Sequence, residues 1–260
     1  MTCFDTHAHL DDEQFDADRD EVIACAAAAG VGAILCPATT ADSSEKVLRL
    51  AERYPSVHAA VGIQPNYCGE AAAGDWDRVA AMSGQPKVVA LGETGLDRHW
   101  DFTPLAVQED YFDRHLALAA RLDLPVIVHC REAEADVLRM LGEAASRGPL
   151  RGVVHAFSGD RAFAEECLAL GLFISFAGAV TYRNKKFIAL REAAASIPDG
   201  RFLVETDSPY LVPHPLRGKQ KRNEPAQLVH TAACLAELRG TTVEATAAQT
   251  TANAQQLFRL

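Results

Sequence analysis

Residues 125–131 read Pro-Val-Ile-Val-His-Cys-Arg, a nearly continuous apolar run that ends in polar residues. Such a run is typical of a strand that is buried on both faces, as in a parallel sheet. Longer segments with helical periodicity lie on both sides of it, Leu105–Arg121 before the run and Glu134–Ser146 after it. These three segments predict a helix–strand–helix unit whose strand ends at His129.

The same alternation recurs along the chain. The eight apolar runs are Cys3–Thr6, Gly32–Cys36, His58–Gly62, Val88–Gly92, Pro125–His129, Gly152–His155, Leu172–Phe176 and Phe202–Glu205. The seven helical segments between them are Asp20–Ala29, Ser43–Arg53, Trp76–Met82, Leu105–Arg121, Glu134–Ser146, Ala162–Leu170 and Lys186–Ala194. Two further predicted helices, near Pro225–Leu238 and Val243–Phe258, follow the last run.

Strict alternation of strands and helices predicts a parallel sheet with right-handed crossovers. Eight such units in 260 residues favour an α/β fold of the (β/α)8 class. We therefore expect residues 1–260 to form a single TIM barrel domain with an extra C-terminal helix. A doubly wound open sheet is the alternative, but no G-x-G-x-x-G sequence follows a predicted strand.

The composition excludes several classes of protein. Hydrophobic residues make up 48% of the chain, which is enough apolar material to exclude disorder. The formal net charge of −10 excludes a protein whose whole surface binds polyanions. The seven cysteines form no C-x-x-C pair, and this usage is typical of a reduced, cytoplasmic protein. No heptad or interface stripe indicates an obligate protein partner.

One uncharged stretch, residues 22–41, approaches the length of a membrane span. It is mostly alanine, it is interrupted by Gly30 and Gly32, and Pro37 lies near its end. We interpret it as the end of a helix followed by a buried strand, and we expect no membrane segment. The polar N-terminal residues, among them Asp5 and His7, do not suit a signal peptide.

Side chains of metal-ligating types follow five of the predicted strands. They lie in the segments Asp5–His9, Gly92–Asp97, His129–Arg131, His155–Gly159 and Glu205–Pro209. Residues two apart in an extended segment point to the same side, so His7 and His9 can converge on one point. The carboxyl ends of the strands are also the face on which barrel enzymes build their sites.

Four histidines and two carboxylates suit Zn²⁺ or another divalent transition metal. Six ligands are too many for one tetrahedral ion, and they favour two ions that share a bridging carboxylate and water. A lone histidine at a strand end is usually a satisfied polar residue. The convergence of five strand ends is what indicates a metal site, since such a ring would be costly to hold together without a cation.

The chain resembles the TatD-type metal-dependent deoxyribonucleases, a branch of the amidohydrolase-like barrels. The matching segments cover nearly the whole chain in the family's order: Phe4–Leu10, Gly92–Asp97, Val128–Arg131, His155–Gly159, Gly178–Thr181, Glu205–Leu211, Arg217–Lys219 and Arg222–Pro225. The resemblance implies the barrel fold and metal-assisted hydrolysis of phosphodiesters, often as an exonuclease.

The resemblance also implies roles for particular residues. One ion would be held by His7, His9, Glu93 and Asp207, and the second by Glu93, His129 and His155. Glu93 would thus bridge two divalent ions, which could be Zn²⁺, Mg²⁺ or Mn²⁺. Water activated by these ions would be the nucleophile, and Asp207 would assist its deprotonation.

Two features depart from the family pattern. The loop after the third strand usually reads G-[LIV]-H-P-H, but here Gln64 and Asn66 replace both histidines. These amides can hydrogen-bond, but they cannot act as imidazole acids or ligands. The second departure is Gln220-Lys221, which looks like an insertion within the R-G-K-R-N-E-P pattern.

Basic residues on the loops after strands five, seven and eight are candidates to bind a polyanionic substrate. We favour Arg131 and Arg217, because a planar guanidinium can hold a phosphate bidentately. The other cations on these loops are Arg183, Lys185, Lys186, Lys219, Lys221 and Arg222. Few basic clusters occur elsewhere, so we expect DNA ends or short oligonucleotides to be bound in preference to long duplexes.

Two other functions stay open. The same barrel and metals could hydrolyse a small ester, lactone or amide, because the fold alone does not select the bond that is cleaved. A lysine at the end of strand four, as a carbamylated bridge, would have favoured that interpretation, but Glu93 stands there. The chain could also bind metal with little catalysis, since the histidines of the third loop are missing.

Overall fold

The computed structural model describes residues 2–260, and eight strands form one parallel sheet there. The strands are β1 (Cys3–Asp5), β2 (Val31–Pro37), β3 (Val57–Val61), β4 (Val88–Asp97), β5 (Val126–Arg131), β6 (Gly152–Val154), β7 (Phe173–Phe176) and β8 (Phe202–Val204). Each strand pairs with the next in chain order. The backbone N–H of Thr6 donates to Val204 O at 3.2 Å, and Ala8 bridges to Ser208, so β8 lies beside β1. This arrangement confirms the predicted (β/α)8 barrel.

Nine α-helices are present in residues 2–260, and they occupy the predicted segments to within a few residues. They are α1 (Arg19–Ala28), α2 (Ala41–Arg53), α3 (Asp75–Met82), α4 (Leu105–Leu122), α5 (Glu134–Arg147), α6 (Arg161–Ala169), α7 (Ile188–Ser196), α8 (Leu228–Arg239) and α9 (Val243–Phe258). The start of α8 is later than predicted, because Pro225–Gln227 forms a separate 3-10 turn.

The side chains of β5 show how the alternation of a strand positions the site. Val126 and Val128 pack in the layer between the strands and the surrounding helices. Ile127 packs with residues from the other seven strands in the barrel interior. By the same period of two, His129 points inward and Cys130 packs against the outer layer.

The extra C-terminal helix closes the amino-terminal end of the barrel. Ala254, Leu257 and Phe258 of α9 pack into the interior cluster, where the Phe258 ring lies 5.9 Å from that of Phe4. The Nδ2 atom of Asn253 donates to the carbonyl of Phe202 at the start of β8. The amino-terminal end is therefore filled with apolar side chains, and the carboxyl ends of the strands are left for polar ones.

The uncharged stretch at residues 22–41 runs from α1 through β2 to the first residue of α2, as predicted. Thr40 precedes α2 as its N-cap, with its Oγ1 accepting from the backbone of Ser43 at 3.0 Å. In residues 2–260 we find no helix whose length and apolar character would let it cross a membrane.

Candidate metal centre

His7 and His9 lie just beyond β1, on the segment that closes the barrel. The backbone N–H of Asp207 donates to the carbonyl of His7 at 2.9 Å, and that of His9 donates to Ser208 at 2.8 Å. These two bonds tie the end of β1 to the segment after β8. The two Nε2 atoms of His7 and His9 lie 3.2 Å apart, and Asp207 Oδ1 lies 3.7 Å from each of them.

Glu93 lies at the centre of the cluster, and its two carboxylate oxygens face different histidines. Oε2 lies 3.4 Å from His7 Nε2 and 3.6 Å from His9 Nε2. Oε1 lies 2.8 Å from His129 Nδ1 and 3.2 Å from His155 Nε2. One buried carboxylate therefore joins two pairs of imidazoles that come from three strand ends.

The approach of β4 to β5 depends on a glycine. Gly95 has φ of +133°, and a Cβ atom there would lie 2.1 Å from the carbonyl oxygen of His129. Only glycine fits this backbone conformation and this contact. The close approach places Glu93 and Asp97, on either side of Gly95, next to His129.

Two further carboxylates contact the imidazoles on the sides that face away from Glu93. Asp97 Oδ2 lies 3.1 Å from His129 Nε2, and Glu205 Oε1 lies 3.6 Å from His155 Nδ1. Both carboxylates are buried. Sequence reasoning gave Asp97 and Glu205 no role, although both stand in the polar strand ends that carry the resemblance. Carboxylates in such positions orient histidines that bind metal.

The charges of the cluster are strongly coupled. Burial opposes ionisation of Glu93, but His155, His129 and His7 outweigh it and hold the pKa of Glu93 well below its usual range. Burial lowers the pKa of His7 to about 4, so its ring is neutral near pH 7, as a metal ligand must be. Burial also lowers the pKa of His129, but hydrogen bonds with Asp97 and Glu93 outweigh it and raise the pKa overall.

Several buried atoms of the cluster lack hydrogen-bond partners within residues 2–260, and these atoms test whether a cation would suit the site. Asp207 Oδ1 is one of them, although two imidazole nitrogens lie 3.7 Å away. An unpaired buried carboxylate oxygen is costly, and a cation among these atoms would satisfy it. The residues therefore fit a divalent metal ion.

Three sets of donor atoms each lie within 4.8 Å of one another. They are His7, His9 and Glu93; Glu93, His129 and His155; and His7, His155 and Asp207. The first two sets share Glu93 and correspond to the two halves of the predicted ligand set except for Asp207, which falls with His7 and His155 in the third set. The structure thus brings all six predicted metal-ligating residues together at the carboxyl ends of the strands.

The residues that replace the family histidines lie beside this cluster. Gln64 is the N-cap of a short 3-10 helix, Pro65–Glu70, because its side-chain Oε1 accepts a hydrogen bond from the backbone N–H of Asn66 at 2.8 Å. Asn66 Nδ2 donates to Asp97 Oδ2 at 3.0 Å. Asn66 therefore contacts the carboxylate that in turn contacts His129.

The predicted phosphate-binding arginines lie at the carboxyl ends of the strands, Arg131 as the last residue of β5 and Arg217 on the segment after β8. The Arg131 guanidinium lies 5.5 Å from the ring centroid of Trp100, and that of Arg217 lies 3.8 Å from the ring centroid of Tyr182. Among residues 2–260, no carboxylate lies within the 4.0 Å ion-pair distance of either. Both arginines are therefore without an ion-pair partner in this part of the chain.

Arg222 was one of the candidate cations, but the structure gives it a structural role. Its guanidinium binds Asp18 at 2.6 Å and Glu224 at 2.8 Å. It also packs over the ring of Phe15, with 4.6 Å from Cζ to the centroid. Its donors are used within the fold, so Arg222 is not available to a substrate.

The chain matches the family described as TatD related DNase over residues 4–259. It is 40% identical over 257 residues to the uncharacterized metal-dependent hydrolase YabD of Bacillus subtilis, covering 99% of each chain. It is 37% identical over 257 residues to the 3'-5' ssDNA/RNA exonuclease TatD of Escherichia coli K12, covering 98% of each.

Among solved structures, the crystal structure of the TatD homologue YJJV from Escherichia coli K12 superposes with a TM-score of 0.92. That protein is 34% identical to this chain, and the match covers 99% of this chain and 98% of the other. The family match and these relatives extend over the strands that carry the candidate ligands. The chain therefore belongs to the family of TatD-related DNases, and it is a metal-dependent hydrolase.

Proposed function

We propose that this hydrolase cleaves phosphodiester bonds of DNA, from the end of a strand or within a short oligonucleotide, with two divalent ions bound at the cluster. The observation that carries the proposal is the position of Glu93, whose two oxygens face separate histidine pairs. A carboxylate so placed is suited to bridge two ions. The names of the relatives, which include 3'-5' ssDNA/RNA exonucleases, support the choice of substrate.

The proposed ligands divide into two sets that share Glu93. His7, His9 and Asp207 complete one set, and His129 and His155 complete the other. When bound, the ions act as Lewis acids on the phosphoryl group and lower the pKa of water at the site. Asp97 lies at hydrogen-bond distance from His129 and holds the ring of that histidine in orientation, whereas Glu205 lies 3.6 Å from His155 Nδ1, which is an ion-pair distance only.

Asp207 is the proposed proton acceptor. Burial raises its pKa well above the usual value, and the carboxylates of Glu205 and Glu93 add to this effect against the opposing influence of His155. The cations, when bound, would offset this effect and keep Asp207 ionised, so that its carboxylate can accept a proton from water at the site. Arg131 and Arg217, both without ion-pair partners in residues 2–260, would hold the phosphate.

The test uses fluorescently labelled single-stranded and duplex oligonucleotides together with a panel of lactones and amides. We expect a chelator to abolish cleavage of the oligonucleotides and Mg²⁺, Mn²⁺ or Zn²⁺ to restore it. Turnover of lactones or amides alone would show that the site hydrolyses those bonds and not phosphodiesters. Bound metal without any turnover would identify a binding protein.

The role of Asp207 as proton acceptor is tested by Asp207→Asn, because this change retains the shape of the side chain and removes the basic oxygen. We expect it to lower kcat by at least about a hundredfold. Asp77→Asn, an exposed aspartate on α3, is the matched control and should be unchanged. Equal rates for the two variants would exclude Asp207 as the proton acceptor.

A further inference from the structure

Trp100 and Phe102, here called the aromatic pair, stack on each other on the loop between β4 and α4. Their ring centroids lie 5.3 Å apart and their planes differ by 7°. Trp100 is 44% exposed and Phe102 is 61% exposed, the highest exposure of any large apolar side chain in residues 2–260. Stacked rings left in water offer a flat apolar surface that is suited to a planar ligand.

The backbone fixes this pair to the candidate metal centre. The N–H of Trp100 donates to Asp97 Oδ1 at 3.0 Å. The other oxygen of the same carboxylate lies 3.1 Å from Nε2 of His129. The loop that presents the pair is therefore held by the residue that orients a proposed metal ligand, so a molecule on the pair would lie beside the metal centre.

A cation accompanies the aromatic surface. The Arg131 guanidinium lies over the Trp100 ring, and no carboxylate of residues 2–260 lies within 4.0 Å of it. A flat apolar surface beside an unpaired guanidinium is complementary to a nucleotide, which carries a planar base and a phosphate. A purely apolar ligand would leave the guanidinium without a partner.

We infer that the aromatic pair stacks a nucleobase of the substrate while Arg131 contacts the adjoining phosphate. The inference rests on the proposed function and specifies the form of its substrate. A base within a duplex already stacks on neighbours on both faces, whereas an unpaired base can transfer one face to a protein ring. The pair thus selects strands whose bases near the cleaved bond are unpaired.

The test compares Phe102→Ala with the parent enzyme, with metal bound, on two single-stranded oligonucleotides. One strand is intact, and the other has abasic sites near the cleaved end. Loss of one stacked base should raise KM for the intact strand at least about fivefold and change kcat little. The increase should disappear on the abasic strand, and Phe102→Tyr should restore the parent KM on the intact one.

Leu122→Ala is the matched control, since Leu122 is an exposed apolar residue at the end of α4, where the chain turns back toward the start of β5. It should leave KM unchanged. If Phe102→Ala cleaves the intact strand with the parent KM, the inference is wrong while the proposed function stands. A change of oligomeric state in Phe102→Ala, without a change in KM, would assign the pair to a protein interface instead.

If the parent enzyme cleaves no oligonucleotide, the proposed function fails, and a binding measurement then tests base stacking on the aromatic pair by itself. Trp76→Phe leaves Trp100 as the sole tryptophan of the chain. Titration of this variant with a strand of phosphorothioate linkages, which resist hydrolysis, should quench the Trp100 fluorescence, and the abasic strand should not. Equal signals from both strands would overturn the inference.

Discussion

The Nε2 atom of His129 lies 3.1 Å from Asp97 Oδ2, on the edge of the ring that faces away from Glu93. An Nε2–H that donates to this carboxylate leaves Nδ1, 2.8 Å from Glu93 Oε1, as the nitrogen free to bind metal. Asp97 also accepts from Asn66 and from two backbone N–H groups, so the carboxylate has a fixed position. His129 is thus positioned by a residue that itself has little freedom to move.

Asp97→Ala should therefore weaken metal binding without removing a proposed ligand. We expect the affinity for Zn²⁺ or Mn²⁺ to fall about 10- to 100-fold, the range for loss of a carboxylate that orients a ligating histidine. Competition with a chromophoric chelator would measure it. Asp136→Ala, which removes an aspartate that pairs with Arg98 on the surface, is the control. Equal affinities in the two variants would show that Asp97 does not orient His129.

Glu93→Ala should release more metal than a change at any single histidine. The methyl group offers no ligand atom, so both proposed sets lose a donor at once. His9→Ala removes a donor from one set only. Elemental analysis of the purified variants should find less than one ion per chain for Glu93→Ala and about one for His9→Ala. Two retained ions in Glu93→Ala would contradict the bridging role.

The barrel and the convergence of the six predicted ligands could be predicted from the sequence, because both follow from local regularities. The apolar composition of a run such as Pro125–His129 indicates that the run is a buried strand. Parallel strands of a barrel bring their carboxyl ends to one face. Ligand types at the ends of five runs must then meet. None of these steps requires knowledge of which distant side chains touch.

What could not be predicted depends on such distant contacts. Arg222 is bound by Asp18, 204 residues earlier in the chain, and nothing near Arg222 in the sequence indicates that partner. The roles of Asp97 and Glu205 likewise depend on ring edges of histidines on other strands.

Arg131→Ala and Arg217→Ala should weaken binding of a nucleic acid strand through the loss of a phosphate contact. For each we expect KM to rise several-fold and its dependence on salt to become weaker, by a slope of about 0.7 per lost contact with single strands. Arg222→Ala is the matched control. It should lower the melting temperature, because it breaks the contacts with Asp18 and Glu224, and it should leave the salt slope unchanged. The same salt slope for all three variants would remove the distinction between Arg131 and Arg217, as phosphate-binding residues, and the structural Arg222.

His115 links the loop that carries Gln64 to α4, and its protonation should destabilise the fold. Its Nδ1–H donates to Tyr111 O at 2.6 Å, and its Nε2 accepts from the backbone of Ile63 at 3.1 Å. Burial lowers its pKa to about 4, and Arg114 adds to the effect against the opposing bond to Tyr111. The acceptor role of Nε2 is lost when the ring takes up a second proton.

The unfolded chain protonates His115 near its ordinary value of 6.5, whereas the folded chain does so only near 4. Between these values the unfolded state binds more protons, so the free energy of unfolding should fall as the pH falls from 6.5 to 4. The full effect is about 3 kcal/mol. Buried Asp5, whose pKa burial raises to about 7, acts in the opposite direction, so the measurement must be a difference. The free energy of unfolding of the parent and of His115→Gln should be measured by denaturant unfolding across this pH range. Plotted against pH, the two free energies should approach each other toward pH 4. Parallel plots would show that His115 does not titrate there.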